Sequence, residues 1–193
     1  MNDGYMSILE NIGSESPTPG GGTVAALTLA HAHSLAAMVS RLTVGKNKWQ
    51  EGHLISNLII DSSIESLDRA ISLAKEDSLA FDKVMNSYRM AKSNDEEIES
   101  RKLAILQSTI GAAQTPSEIA EEGFKLLSLL PDLARFGNLN AITDLAASSE
   151  LAYVAVYIAS LNVKINVDSM SNEKLDNIQN NTTIILTKSE ELI

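Results

Sequence analysis

The chain has 193 residues and a formal net charge of −10. That charge argues against a nucleic-acid binder, whose basic face must displace counterions from phosphates. There is no Cys, which excludes disulfides, thiolate metal sites and a cysteine nucleophile, and fits a cytoplasmic protein. Aromatic residues are 4% of a chain that is 44% hydrophobic, so its core is built from Ala, Leu, Ile and Val. Such a core favours helices packed through small residues over aromatic-rich strands.

In chain order, a short helix is expected over about Asp3–Asn11, ended by Gly13. "SPTPGGGT" then leads into a second helix, from around Gly22 to about Val44. No formal charge occurs between Ser16 and Arg41, but the segment contains Thr28, His31, His33 and Ser34, and much of its apolar content is Ala. That hydropathy is poor for spanning lipid. The residues before it carry Asp3, Glu10 and Glu15 and no Lys or Arg, the wrong flank for a signal peptide. A buried helix and no membrane partner are therefore expected.

A long helix is expected from about Gln50 to about Met90, with apolar residues recurring at helical intervals. The next helix, capped by Ser93, is expected to reach about Ala113. Thr115 and Pro116 read as the cap and first position of a new helix, which Pro131 kinks or interrupts and Gly137 ends. The segment from about Asn140 to Asn166 is apolar almost all round, as suits the middle of a bundle or a subunit interface. Ser171 is expected to cap a more polar tail helix. The expectation is an all-α bundle of about six helices in a single domain, residues 1–193.

Four stretches offer chemistry. Gly20, Gly21 and Gly22 before a helix are either a structural turn or a bare cradle for an anion or oxygen-rich group. They lack nucleotide-loop spacing. Lys46 and Lys48 in "GKNKW" are either a solvated helix end or a pair of cations for a carboxylate ligand, beside the flat face of Trp49. Asp77 in "EDSLAFDKVMNSYR" shares a helix face with Phe81. It is either a surface acid or a desolvated carboxylate suited to proton transfer, with Arg89 three turns on. In "GNLNAITD", Asn138, Asn140 and Asp144 gather at a helix start, where Asn140 serves as an N-cap or as a binding group. His31 and His33, two apart with no acid at ligand spacing, do not suggest a metal site.

Taken together and in order, "PTPGGGT", "LTVGKNKW", "DSLAFDKV", "TPSEIAE" and "GNLNAITDL…NVKIN" resemble the cyclodeaminase/cyclohydrolase family. That family comprises the C-terminal half of formiminotransferase-cyclodeaminase and free-standing relatives, including methenyltetrahydrofolate cyclohydrolases. The resemblance runs from about residue 5 to about residue 185. Thr23 stands where serine is more usual, Asn47 where a second basic residue is common, Trp49 where Tyr or Phe is expected and Ala91 where a proline follows.

The resemblance implies a helical homodimer acting on a tetrahydrofolate derivative as substrate, with no cofactor and no metal. It implies Asp77 as the proton-transfer group. Gly20, Gly21, Gly22 and Thr23 would form the pterin-facing loop, and Lys46, Lys48 and Arg89 would hold glutamate carboxylates. Asn138 matches the family pattern, and Asn140 or Asp144 would read the pterin edge. Hydrolysis of 5,10-methenyltetrahydrofolate to 10-formyltetrahydrofolate is placed first, because a cyclodeaminase normally receives its substrate from a formiminotransferase, a domain not seen in this sequence. Cyclodeamination of 5-formiminotetrahydrofolate is the alternative. An inactive folate-binding or structural dimer is the second alternative.

Overall fold

The uncharged run after the glycines folds as one helix with alanine on its inward side, and alanine lets neighbouring helices come close. The computed structural model describes residues 3–193. Its helices are α1 (Asp3–Ile12), α2 (Gly21–Thr43), α3 (His53–Arg89), α4 (Asp95–Leu127), α5 (Leu130–Phe136), α6 (Ile142–Asp168) and α7 (Glu173–Glu190). Short 3-10 segments lie at Asn47–Gly52 and Leu139–Ala141. No strand occurs among the described residues.

Helices α2, α3, α4 and α6 form the bundle. α2 packs on α3 and α6, α4 packs on the same two from the other side, and α7 lies in the groove between α4 and α6. The α2–α6 contact is made of small residues: Ala25, Ala26, Ala32 and Ala36 face inward with Ala152, Ala155 and Ala159, all fully buried. Larger side chains, among them Leu29, Leu73, Ile119 and Leu127, fill the remaining space. Each such burial stabilises the fold by about 1.5–3 kcal/mol.

Both α2 and the segment Leu139–Asp168 are long and apolar enough to cross a membrane by length and composition alone. In the fold α2 is a core helix, with 61% of its apolar window buried, against 33% for the other segment. The uncovered part of α6 is a stripe of Val154, Tyr157, Leu161 and Ile165, spaced to lie along one side of the helix.

Three boundaries differ from the sequence expectation. Thr115 and Pro116 start no helix, because α4 runs through them. Pro116 and its neighbours Thr115, Ser117, Ile119 and Ala120 are buried, and that burial outweighs the roughly 3 kcal/mol that an interior proline costs. The N-cap of α4 is Asn94 rather than Ser93: its side chain accepts from the Glu97 N–H at 2.9 Å, while the Glu97 carboxylate accepts from the Ser93 N–H at 2.7 Å. Asn172 rather than Ser171 caps α7. Pro131 does divide the chain, standing in the first turn of the separate helix α5.

Candidate active site

At one end of the bundle the four main helices converge on a cleft of about 280 Å³. Gly20, Gly21 and Gly22 form its floor at the start of α2, α3 contributes Asp77, Ala80, Phe81 and Val84, and α4 contributes Ala112. Asn162 and Asn166 of α6 close the far wall. Gly20 is extended and contributes no capping side chain, so the N–H groups of Gly21 and Gly22 and the positive helix end are available at the cleft, while the Thr23 N–H is taken by Asp77.

Asp77 and the glycine loop fit each other closely. A Cβ on Gly22 would overlap the Asp77 carboxylate, whereas one on Gly21 would come no nearer than 3.9 Å to its closest neighbour, Asn162 Nδ2. Glycine is thus required at Gly22 for close approach. The Thr23 hydroxyl donates to Asp77 Oδ2 at 3.0 Å and lies 3.0 Å from Ser78 Oγ, from which it can accept. Burial pushes the Asp77 carboxyl above the ordinary aspartate range, opposed by the hydroxyl and main-chain N–H of Thr23, which favour the ionised form. The result is a half-dry carboxylate, oriented by a hydroxyl, beside bare backbone. Such a group suits proton transfer to a ligand seated on the glycines.

The other residues singled out in the sequence lie elsewhere on the protomer. Lys46 and Lys48 follow the opposite end of α2, a helix of 23 residues and hence roughly 35 Å long. Lys48 Nζ lies over the Trp49 ring at 4.5 Å, in a shallow depression shared with Arg135 and Phe136. Gly45, with φ of 80°, takes the left-handed turn that releases this segment from α2.

Asn138 is buried at this same end. Its N–H donates to Thr43 Oγ1 and its Nδ2 to the Leu42 carbonyl, both at 3.0 Å, and its Oδ1 accepts from the Asn140 N–H at 3.0 Å. Asn138, not Asn140, is therefore the capping residue, and the helix it caps is the 3-10 turn before α6. Asp144 sits in the first turn of α6. Arg89 ends α3, twelve residues beyond Asp77 and so roughly 18 Å along the helix. Its guanidinium donates to Asn86 Oδ1 at 3.5 Å. Among the described residues, no three His, Asp or Glu side chains gather to hold a metal ion.

This arrangement can be set beside known proteins. Residues 5–182 match the family model described as formiminotransferase-cyclodeaminase. The chain belongs to that family. It is 32% identical to the methenyltetrahydrofolate cyclohydrolase of Methylorubrum extorquens over 88% of this chain and 81% of that protein. It is also 32% identical to the formimidoyltransferase-cyclodeaminase of Gallus gallus, over 84% of this chain but only 30% of that longer protein. In structure it resembles formiminotetrahydrofolate cyclodeaminase from Thermotoga maritima, with a TM-score of 0.80 and 26% identity over 100% of this chain and 89% of that one.

Within this formiminotransferase-cyclodeaminase fold, the cleft residues that sequence reasoning left without a role are Asn162 and Asn166. The signal for them was present, since two asparagines four apart in "NVKIN" share a helix face. Nothing local shows that this face meets α2 and α4 rather than solvent.

Proposed function

We propose that the chain is an enzyme of folate one-carbon metabolism that hydrolyses 5,10-methenyltetrahydrofolate to 10-formyltetrahydrofolate. The observation that carries this reading is the half-buried Asp77 carboxylate against Gly22, in a cleft that the open end of α2 faces. The flat pterin would rest on the glycine backbone, with the bridging carbon near Asp77. Asp77 takes a proton from the attacking water as oxygen bonds to that carbon. It then returns the proton to N5 as the carbon–N5 bond breaks, and the hydroxyl proton leaves to solvent.

The same group can serve the second reading, cyclodeamination, by taking the N10 proton as N10 bonds to the protonated formimino carbon and passing it to the amino nitrogen, which leaves as ammonia. Likeness to the Thermotoga maritima cyclodeaminase over its whole fold keeps that reading in play. One preparation decides between them. Loss of the methenyl absorbance is expected with methenyltetrahydrofolate; ammonia released from formiminotetrahydrofolate without that loss reverses the order, and neither change rejects both.

We also propose a homodimer. The uncovered apolar stripe of α6 supports it, as does the separation of the lysine end from the cleft. Antiparallel pairing sets the lysine end of one protomer beside the glycine end of the other, where its cations can meet substrate carboxylates. Mixing inactive Asp77→Asn protein with a Lys46→Ala/Lys48→Ala variant should then restore activity above either alone. A monomer by sedimentation equilibrium would reject this assembly.

A further inference from the structure

The "TPSEIAE" motif starts no helix, and its proline has a consequence inside the cleft. Pro116 has no N–H, so the Ala112 carbonyl four residues earlier in α4 lacks its usual intrahelical donor. Asn166 of α6 takes that place. Its Nδ2 donates to the Ala112 carbonyl at 3.0 Å and to the Asn162 carbonyl at 2.9 Å. A carboxamide has two N–H donors and one acceptor oxygen, so both hydrogens are committed and the group cannot flip without losing both bonds. One turn earlier, Asn162 Nδ2 donates to the Ile158 carbonyl at 2.8 Å. Both side chains line the cleft, and no hydrogen bond among the described residues occupies either Oδ1. Asn166 therefore presents only its acceptor oxygen across from the glycine floor and Asp77, whereas Asn162 keeps one N–H beside its own oxygen.

We propose that Asn166 is a specificity residue whose oxygen makes this wall an acceptor for N–H donors of the bound ring. Pro116 is the positioning residue that holds Asn166 in that orientation. The assignment rests on the folate reading above: a tetrahydropterin carries an amino group and ring N–H groups along its edge, and the fixed acceptor oxygen of Asn166 matches them. It also rejects heterocycles that present carbonyl or bare ring nitrogen at the same place.

Three variants test this, each assayed for turnover and for tetrahydrofolate binding by titration. Asn166→Ala should raise KM and the dissociation constant by about tenfold, the effect of one well-made hydrogen bond, with kcat within about threefold. Pro116→Ala supplies an N–H that competes for the Ala112 carbonyl and frees Asn166. It should raise KM several-fold while Tm holds or rises, since an interior proline has been removed. The double variant should be no worse than Asn166→Ala alone, because both changes act on one amide.

Pro116→Ala with KM unchanged, or additive effects in the double variant, would overturn the positioning role. Equal tetrahydrofolate binding by wild type and Asn166→Ala would overturn the acceptor wall. Wild-type protein that turns over neither folate but binds tetrahydrofolate more tightly than Asn166→Ala rejects the reaction and keeps the wall. Should Asn166→Ala fail to fold, Pro116→Ala still decides, since it leaves every packed element in place.

Discussion

The two ends of the bundle use their polar residues in opposite ways. At the lysine end, Asn138 spends its polar groups on Leu42, Thr43 and Asn140, joining the end of α2 to the start of α6. Lys48 rests on Trp49 at the surface. At the glycine end, side chains are missing where contact would be expected, a carboxylate is held in a half-dry position, and two amides keep their oxygens free. Saturated polar groups hold a fold together; polar groups left unsatisfied around a cavity are available to a ligand. The contrast predicts activity changes around the glycine cleft and stability changes at Asn138.

The largest effect should come from Asp77→Asn. The variant keeps size and shape but cannot take a proton, so kcat should fall by about 10²–10⁴-fold, the range of general acid–base catalysis. Tm should not fall, since a desolvated carboxyl has been removed. Near-normal turnover by a folded Asp77→Asn protein would end the claim that this cleft is catalytic.

Next in size is a pair of substitutions one residue apart. Gly22→Ala places a methyl group against the Asp77 carboxylate, so carboxylate or helix start must shift. A displacement near 1 Å costs about 10²-fold in rate, and the overpacking about 1–3 kcal/mol in stability. Gly21→Ala meets nothing closer than 3.9 Å and should leave stability nearly unchanged. Equal stability losses from the two would mean that the loop tolerates or rejects any side chain, irrespective of Asp77. At the other end, Asn138→Ala should cost about 1–3 kcal/mol, read as a lower denaturant midpoint with kcat preserved.

How much of this was legible beforehand depends on range. The all-helical class and most helix positions follow from local signals: apolar spacing, Gly137, Pro131 and the glycines before α2. The close fit of Asp77 to Gly22 spans 55 residues of sequence and leaves no local trace, although the resemblance named both. Pro116 misled because local rules put proline at helix starts, while here burial of its neighbours carries α4 through. Lys46 and Asp77 look like one constellation when quoted side by side. The length of α2, itself readable from the sequence, already keeps them apart within one protomer.

The smallest effect is the pH dependence of stability, and its sign separates Asp77 from His33, which lies mid-way along α2. Asp77 titrates above its ordinary value of 3.8 because it is buried. The folded state therefore holds that proton more tightly than the unfolded chain. Its contribution to stability is complete below pH 3.8 and is lost as pH rises through the raised value. His33 runs the other way. Burial lowers it from 6.5, against the pull of Glu122, and its Nε2 has no hydrogen-bond partner among the described residues. Its contribution is complete above pH 6.5 and is lost as pH falls through the lowered value. Wild-type curves superimpose the two, but the difference between wild type and Asp77→Asn cancels His33. That difference should grow in favour of the variant as pH rises from 3.8 and then level off. Wild-type kcat should climb over the same interval as Asp77 ionises to act as base. A stability difference flat with pH would mean that the Asp77 carboxyl is as well solvated in the folded chain as in the unfolded one, and the cleft would lose its half-dry carboxylate.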